Sequence, residues 1–217
     1  MDQKIIDQVC NNLKKNNMKV FFVQTKQEAC SLTAGLLHDG DTVSVGGSVS
    51  LIEAGILDLL CSGRYHFLDR YDPQLDREGI HNVFIKSMNA DAYLCSCNAV
   101  TQSGELYNVD GNSNRIAPIA FGPKSVIMMV SINKIVLNID EAIKRVKTVT
   151  APKNCNRLER NTYCRTKGQC IAIQKGLTGM TSGCDSPDRI CSNYLISGKQ
   201  QIKDRIKVIL VEELLGY

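Results

Sequence analysis

Four cysteines near the end of the chain are spaced so that they could grip one inorganic centre. Cys164, Cys170, Cys184 and Cys191 have five, thirteen and six residues between successive neighbours. Thiolates are the ligands of structural zinc and of iron–sulfur clusters. The spacing matches neither the CxxC pairs of a zinc ribbon nor the C-x2-C-x2-C run of a bacterial ferredoxin. A cluster, a zinc ion and metal-free thiols therefore all stay open. Cys155, beside "APKN", is an alternative ligand. Arg157, Arg160, Arg165, Lys167 and Arg189 lie close in sequence and would offset thiolate charge. A disulfide framework is disfavoured, because disulfide scaffolds are usually shorter, denser in cysteine and secreted. The opening MDQKIIDQVCNNLKKNN interrupts every apolar run, so no signal-peptide core is expected. No stretch approaches the roughly 20 apolar residues of a membrane span. These features predict a cytoplasmic protein with reduced thiols and no membrane partner.

A second set of residues could bind an anion. In "VSVGGSVSLIEAGI" a strand runs into Gly46–Gly47, and a helix starts near Ser48. Glycines let backbone approach a ligand, and a helix start offers unpaired N–H groups and partial positive charge. The same pattern also describes an ordinary strand-to-helix turn. Glu53 is either an acid/base or ligand-orienting candidate, or a carboxylate placed favourably in the helix field. Residues 98–124 bring Asn108, Asp110, Asn112 and Arg115 together with further amides and hydroxyls. That is a pocket wall or plain turn chemistry. In a pocket, Arg115 could take a carboxylate or phosphate with both arms. A net charge of +4, spread along the chain, does not argue for nucleic acid, so no nucleic-acid partner is expected, and it is compatible with a small anionic ligand.

These residues need a scaffold. Helical spacing covers 3–16, with Ile5, Ile6, Val9 and Leu13 on one face. Thr25 and Glu28 form a capping-box signal for a second helix. Residues 50–60 predict a third helix and 140–150 a later one. Strands are expected at 18–24, 41–45, 81–87 ("HNVFIKS"), 92–101 ("AYLCSCNAVT") and on both sides of Asn133, with the last near the end. "GELYNVD" reads as the second arm of a hairpin. The alternation predicts an α/β layered fold, a largely parallel sheet flanked by helices. With 43% hydrophobic residues a core is affordable. Residues 1–217 read as a single domain. In it, 151–193 is a loop-rich excursion, poor in aliphatic residues, that needs something other than a core to order it. Cys95 and Cys97 share a strand face, as core or as pocket lining. His38, His66 and His81 are isolated and read as structural or exposed.

Taken together, "VGGSVSLIEAGIL", "NAVTQSGELYNVDGNSNRIAPIAFGPK", "APKN" and "CDSPDRIC" resemble the LUD-domain (lactate utilisation, YkgG-type) family, in order, from about residue 2 to residue 217. The resemblance implies a NagB/RpiA/CoA-transferase-like fold with ligand bound at the strand ends. It also implies a [4Fe–4S] cluster on Cys164, Cys170, Cys184 and Cys191, with zinc as the alternative. One departure is the insert IAIQKGLTGMTSG between Cys170 and Cys184, which makes Cys184 less secure as a ligand than Cys191. The implied function is an iron–sulfur protein with a pocket for a small organic anion, performing redox or Lewis-acid chemistry on a small organic acid. The alternative is a non-catalytic accessory subunit of lactate or hydroxy-acid oxidation, with a structural zinc or no metal. An electron-transfer partner and an oligomer are both compatible with this reading.

Overall fold

Apolar residues three and four apart build the first helix, α1 (Gln3–Lys15). It buries Ile6, Val9 and Leu13, and the Asp2 side chain accepts from the Lys4 N–H. The computed structural model describes residues 1–217. Strand β1 (Lys19–Val23) leads to α2 (Lys26–Leu36), whose Thr25–Glu28 capping box is formed as expected. After β2 (Thr42–Val45) the expected single helix is two, α3 (Val49–Glu53) and α4 (Ile56–Leu60). Gly55, in the left-handed region at φ 72°, breaks them. Strand β3 (His66–Leu68) follows.

Residues 81–87, expected as a strand, lie in helix α5 (Arg77–Ser87). The Asp76 carboxylate accepts from the Gly79 N–H and starts that helix, so the cap outweighs the β-branched and aromatic composition. The expected strand at 92–101 is two strands. Strand β4 (Ala92–Cys95) belongs to one sheet and β5 (Ala99–Thr101) to another. The hairpin arm is β6 (Leu106–Asp110), antiparallel to β5 as predicted. Then come α6 (Ile116–Ala120), β7 (Ser125–Ser131), a 3-10 turn (Ile132–Lys134) and β8 (Ile135–Val136). Helix α7 (Ile139–Arg145) passes through a π-helical turn into α8 (Ala151–Arg157). Short helices α9 (Tyr163–Lys167) and α10 (Ile171–Gln174) precede β9 (Asn193–Ser197) and β10 (Ile206–Val211).

The main sheet has the order β1-β10-β7-β4-β2-β3 and is parallel throughout. Its two faces carry separate cores. Val43, Leu94, Ile127 and Ile209 are on one side, and Tyr93, Val126, Met128 and Val208 on the other. Both faces are buried, which is why its strands read as continuous apolar runs. A second sheet, β8-β5-β6-β9, was not foreseen. No helix is long and apolar enough to cross a membrane.

The chain leaves β2 toward the sheet edge at β3, whereas it leaves β4 toward β7. The adjacent strands β2 and β4 thus diverge at their carboxyl ends, a topological switch point where open α/β sheets bind ligands.

The excursion at 151–193 corrects the expectation of a coreless loop. It opens as the continuation of α7. Ala151, Pro152, Cys155, Cys164, Cys170 and Ala172 are buried. The thiols themselves supply apolar packing surface there, since a reduced cysteine behaves as a small hydrophobe.

Candidate functional site

A cavity of about 230 Å³ opens at the switch point. Gly47, Ser48 and Ser50 reach it after β2. Ser96, Cys97 and Asn98 reach it after β4, and Lys134 after β7. Asp110 ends β6, and Asn112 and Arg115 come from the turn after it; Arg157 ends α8, Arg160 lies just beyond, and Tyr217 follows β10.

The sequence-predicted residues divide. Gly47, Ser48, Asp110, Asn112 and Arg115 line the cavity, as expected of a pocket wall. Gly46 lies just behind. A Cβ there would come within 2.8 Å of both Arg115 Cγ and the Tyr93 hydroxyl, so the missing side chain makes room for Arg115. Ser48 caps α3, accepting from the Leu51 N–H at 3.4 Å. Asn108 is fully buried and does not reach the cavity. Glu53 is exposed and holds the Gly216 N–H at 2.7 Å, so it pins the end of the chain rather than facing the cavity.

Arg115 is not an open anion fork. Nη1 donates to Ser96 O (3.0 Å) and Asn108 Oδ1 (2.6 Å). Nη2 donates to Asn98 Oδ1 (2.9 Å) and Val109 O (2.8 Å). Both arms are spent on neutral acceptors that tie the β4 loop to β6. Asp110 accepts from the backbone N–H of Arg115 and Ile116, fixing the same turn. The Asn108 amide nitrogen finds no protein partner.

Five cations line the cavity, Arg70, Arg115, Lys134, Arg157 and Arg160, against one carboxylate, Asp110. None of the five joins an ion pair. Arg70 lies over the Phe84 ring at 4.7 Å. Arg157 donates to Asn154 Oδ1 and the Tyr217 hydroxyl. Lys134 is almost wholly buried, and its Nζ donates to Ser50 Oγ (2.8 Å) and Ser96 Oγ (3.0 Å). Burial lowers its pKa to about 8. No motif or periodicity marks Lys134, Ser96 or Arg70 in the sequence. Arg157 and Arg160 were legible only as cations near thiols, and they line the larger cavity instead.

The cysteines gather beside this cavity. Cys164, Cys170, Cys184 and Cys191 line a second, apolar space of about 20 Å³, with Tyr107, Met180 and Tyr194. That is room for about one water. Cys155 sits behind Cys164, with the two sulfurs 3.6 Å apart. Their shared proton raises the Cys155 pKa and lowers that of Cys164. Cys191 belongs to both cavities, as do Val146 and Ala151. Arg189 braces the loop by donating to Cys191 O, Cys184 O and Thr181 O.

The donor set suits a metal that prefers sulfur. A tetrahedral zinc ion needs sulfurs about 2.3 Å from a common point. No three His, Cys, Asp or Glu side chains converge in that way. The four thiols thus enclose one space without forming a ready mononuclear site. Cys97 is buried at the cavity wall and Cys95 in the core, and desolvation raises both thiols.

A family model described as LUD domain matches residues 6–211. A search of curated proteins returns no match. Among solved structures, a DUF162 family protein from Deinococcus radiodurans superposes with a TM-score of 0.55 at 16% identity. The alignment covers 96% of this chain and 97% of that one, and the likeness is one of fold. The eIF2B beta from Chaetomium thermophilum aligns at a TM-score of 0.36 and 16% identity, covering 52% of this chain and 43% of that one.

Proposed function

Because the chain belongs to the LUD-domain family, we propose that it binds a small organic acid at the switch-point cavity, in the chemistry of lactate or a related hydroxy acid. One observation carries this reading. Five cationic side chains surround the cavity, and none of them has a carboxylate partner. Unpaired cations around a cleft focus positive potential and draw an anion. The exposed Arg157 and Arg160 meet the ligand's carboxylate. Ser48, Asn112 and Asn114 offer polar groups that orient it. Arg115 positions the walls and contributes its charge.

The second part of the proposal concerns the thiols. Cys164, Cys170, Cys184 and Cys191 would hold an iron–sulfur cluster, for which the gathering of all four thiols around one space is the supporting observation. A cluster is larger than this space of about 20 Å³, so the exposed insert 174–179 between Cys170 and Cys184 would have to move to admit it. Bound there, a cluster supplies single electrons, or a Lewis-acid iron if only three thiolates ligate it. Cys191, at the shared wall, puts that chemistry beside the ligand.

Two measurements test the reading. Calorimetric titration with lactate and 2-hydroxybutyrate should show binding that weakens with added salt and drops about tenfold, or 1.4 kcal/mol, in Arg157→Gln/Arg160→Gln. Equal binding of neutral propanediol would sink the anion reading. Anaerobically purified protein should contain iron and sulfide and show a broad visible absorbance that dithionite bleaches. Colourless protein without iron would sink the cluster.

A further inference from the structure

Lys134 is the feature of the cavity that anion binding alone does not account for. It is 3% exposed, yet no carboxylate pairs with it. Its Nζ meets two neutral hydroxyls, Ser50 Oγ at 2.8 Å and Ser96 Oγ at 3.0 Å. All three groups line the cavity. Burying an ammonium without a counter-ion is costly, so such a site favours the free amine. Burial is the main cause of the lowered pKa. Arg145 and Arg115 lower it further, while Cys97 and Glu53 oppose them. A desolvated lysine beside other cations is the usual form of an activated amine nucleophile. Arg70, Arg157 and Arg160 already supply charge for an anion, which leaves Lys134 free for another task.

We propose that Lys134 is a nucleophilic amine that forms an imine with the carbonyl carbon of a small 2-oxo acid. This rests on the anion-binding reading and narrows the ligand class to acids that carry a carbonyl next to the carboxylate. The carboxylate lies toward Arg157 and Arg160, and the carbonyl toward Lys134. The unprotonated Nζ attacks the carbonyl carbon, and a C–N bond forms as the C=O π pair moves to oxygen. The carbinolamine then loses its hydroxyl as water. Both hydrogens of that water come from the amine, and Ser50 and Ser96, in hydrogen-bond reach of Nζ, relay them. Amine and carbonyl give imine and one water, with no oxidant or reductant.

The test uses the native, full-length protein. It is incubated with 2-oxobutyrate and reduced with borohydride, with 2-hydroxybutyrate run in parallel. The expected product is heavier by one oxo acid less one oxygen atom, and peptide mapping places the adduct on Lys134. The hydroxy acid gives no adduct but competes with the oxo acid. Trapping rises as the pH passes through about 8, and it is absent in Lys134→Arg, with folding checked by circular dichroism. If 2-oxobutyrate binds but is trapped nowhere, or only on surface lysines, the imine proposal is overturned and the anion site stands. If neither acid binds, both readings fall together.

Discussion

Gly46 and Arg115, 69 positions apart in sequence, share one packing space. A Cβ on Gly46 would lie 2.8 Å from Arg115 Cγ and 3.1 Å from its Cδ. The glycine of the turn after β2 thereby seats the arginine that ties β4 to β6. Gly46→Ala should overpack this buried contact, which also includes the Tyr93 hydroxyl. The expected loss is about 1–3 kcal/mol by urea unfolding. A variant as stable as the wild type would show that the wall yields without cost.

Arg115→Lys tests the positioning role. A lysine keeps the charge but cannot present the planar fork that reaches Ser96 O, Asn98 Oδ1, Asn108 Oδ1 and Val109 O. Leaving several of these acceptors buried and unpaired should cost on the order of 3 kcal/mol. Lysine should therefore rescue neither stability nor ligand affinity. Rescue of affinity would instead make Arg115 a simple charge.

The buried Lys134 predicts a pH dependence of stability with a definite sign. Its folded pKa, about 8, lies below the ordinary 10.5. Below pH 8 both folded and unfolded chains carry the proton, and the folded state bears the full cost of burying the charge. Between about 8 and 10.5 the unfolded chain binds more protons, so this group's contribution makes the protein more stable as pH rises. The difference in urea midpoint between the wild type and Lys134→Met should move in favour of the wild type from pH 7 to pH 10. A pH-independent difference would mean that Lys134 titrates normally.

Cys155 and Cys164 are only 3.6 Å apart, yet only Cys164 lines the thiol space. Cys164→Ser and Cys191→Ser should lower iron and sulfide content in anaerobic protein, while Cys155→Ser should retain both. Loss of metal in Cys155→Ser alone would move the ligand set onto Cys155.

Local order was legible because it depends on neighbours in the chain. The α1 stripe, the Thr25–Glu28 capping box, the β5–β6 hairpin and the alternation of strand and helix all follow from periodicity and side-chain chemistry a few residues apart. The polar stretch that became the cavity wall was visible as an unusual cluster of amides around Arg115. Residues 81–87 are helical despite their strand-like composition because the Asp76 cap starts α5.

What the tertiary structure alone decided depends on residues far apart in the chain. Sequence could count ten cysteines but could not show that four line one apolar space, or that Cys191 stands between that space and the switch-point cavity. It could not foresee that the Arg115 fork is spent on two backbone carbonyls and two asparagine side chains. Nor could it mark Lys134, an ordinary lysine in "SINKIV", as the amine buried against Ser50 and Ser96. The strand order set by hydrogen bonding brings these residues together. Desolvation then changes what they can do, and burial belongs to the packed chain rather than to any short stretch of it.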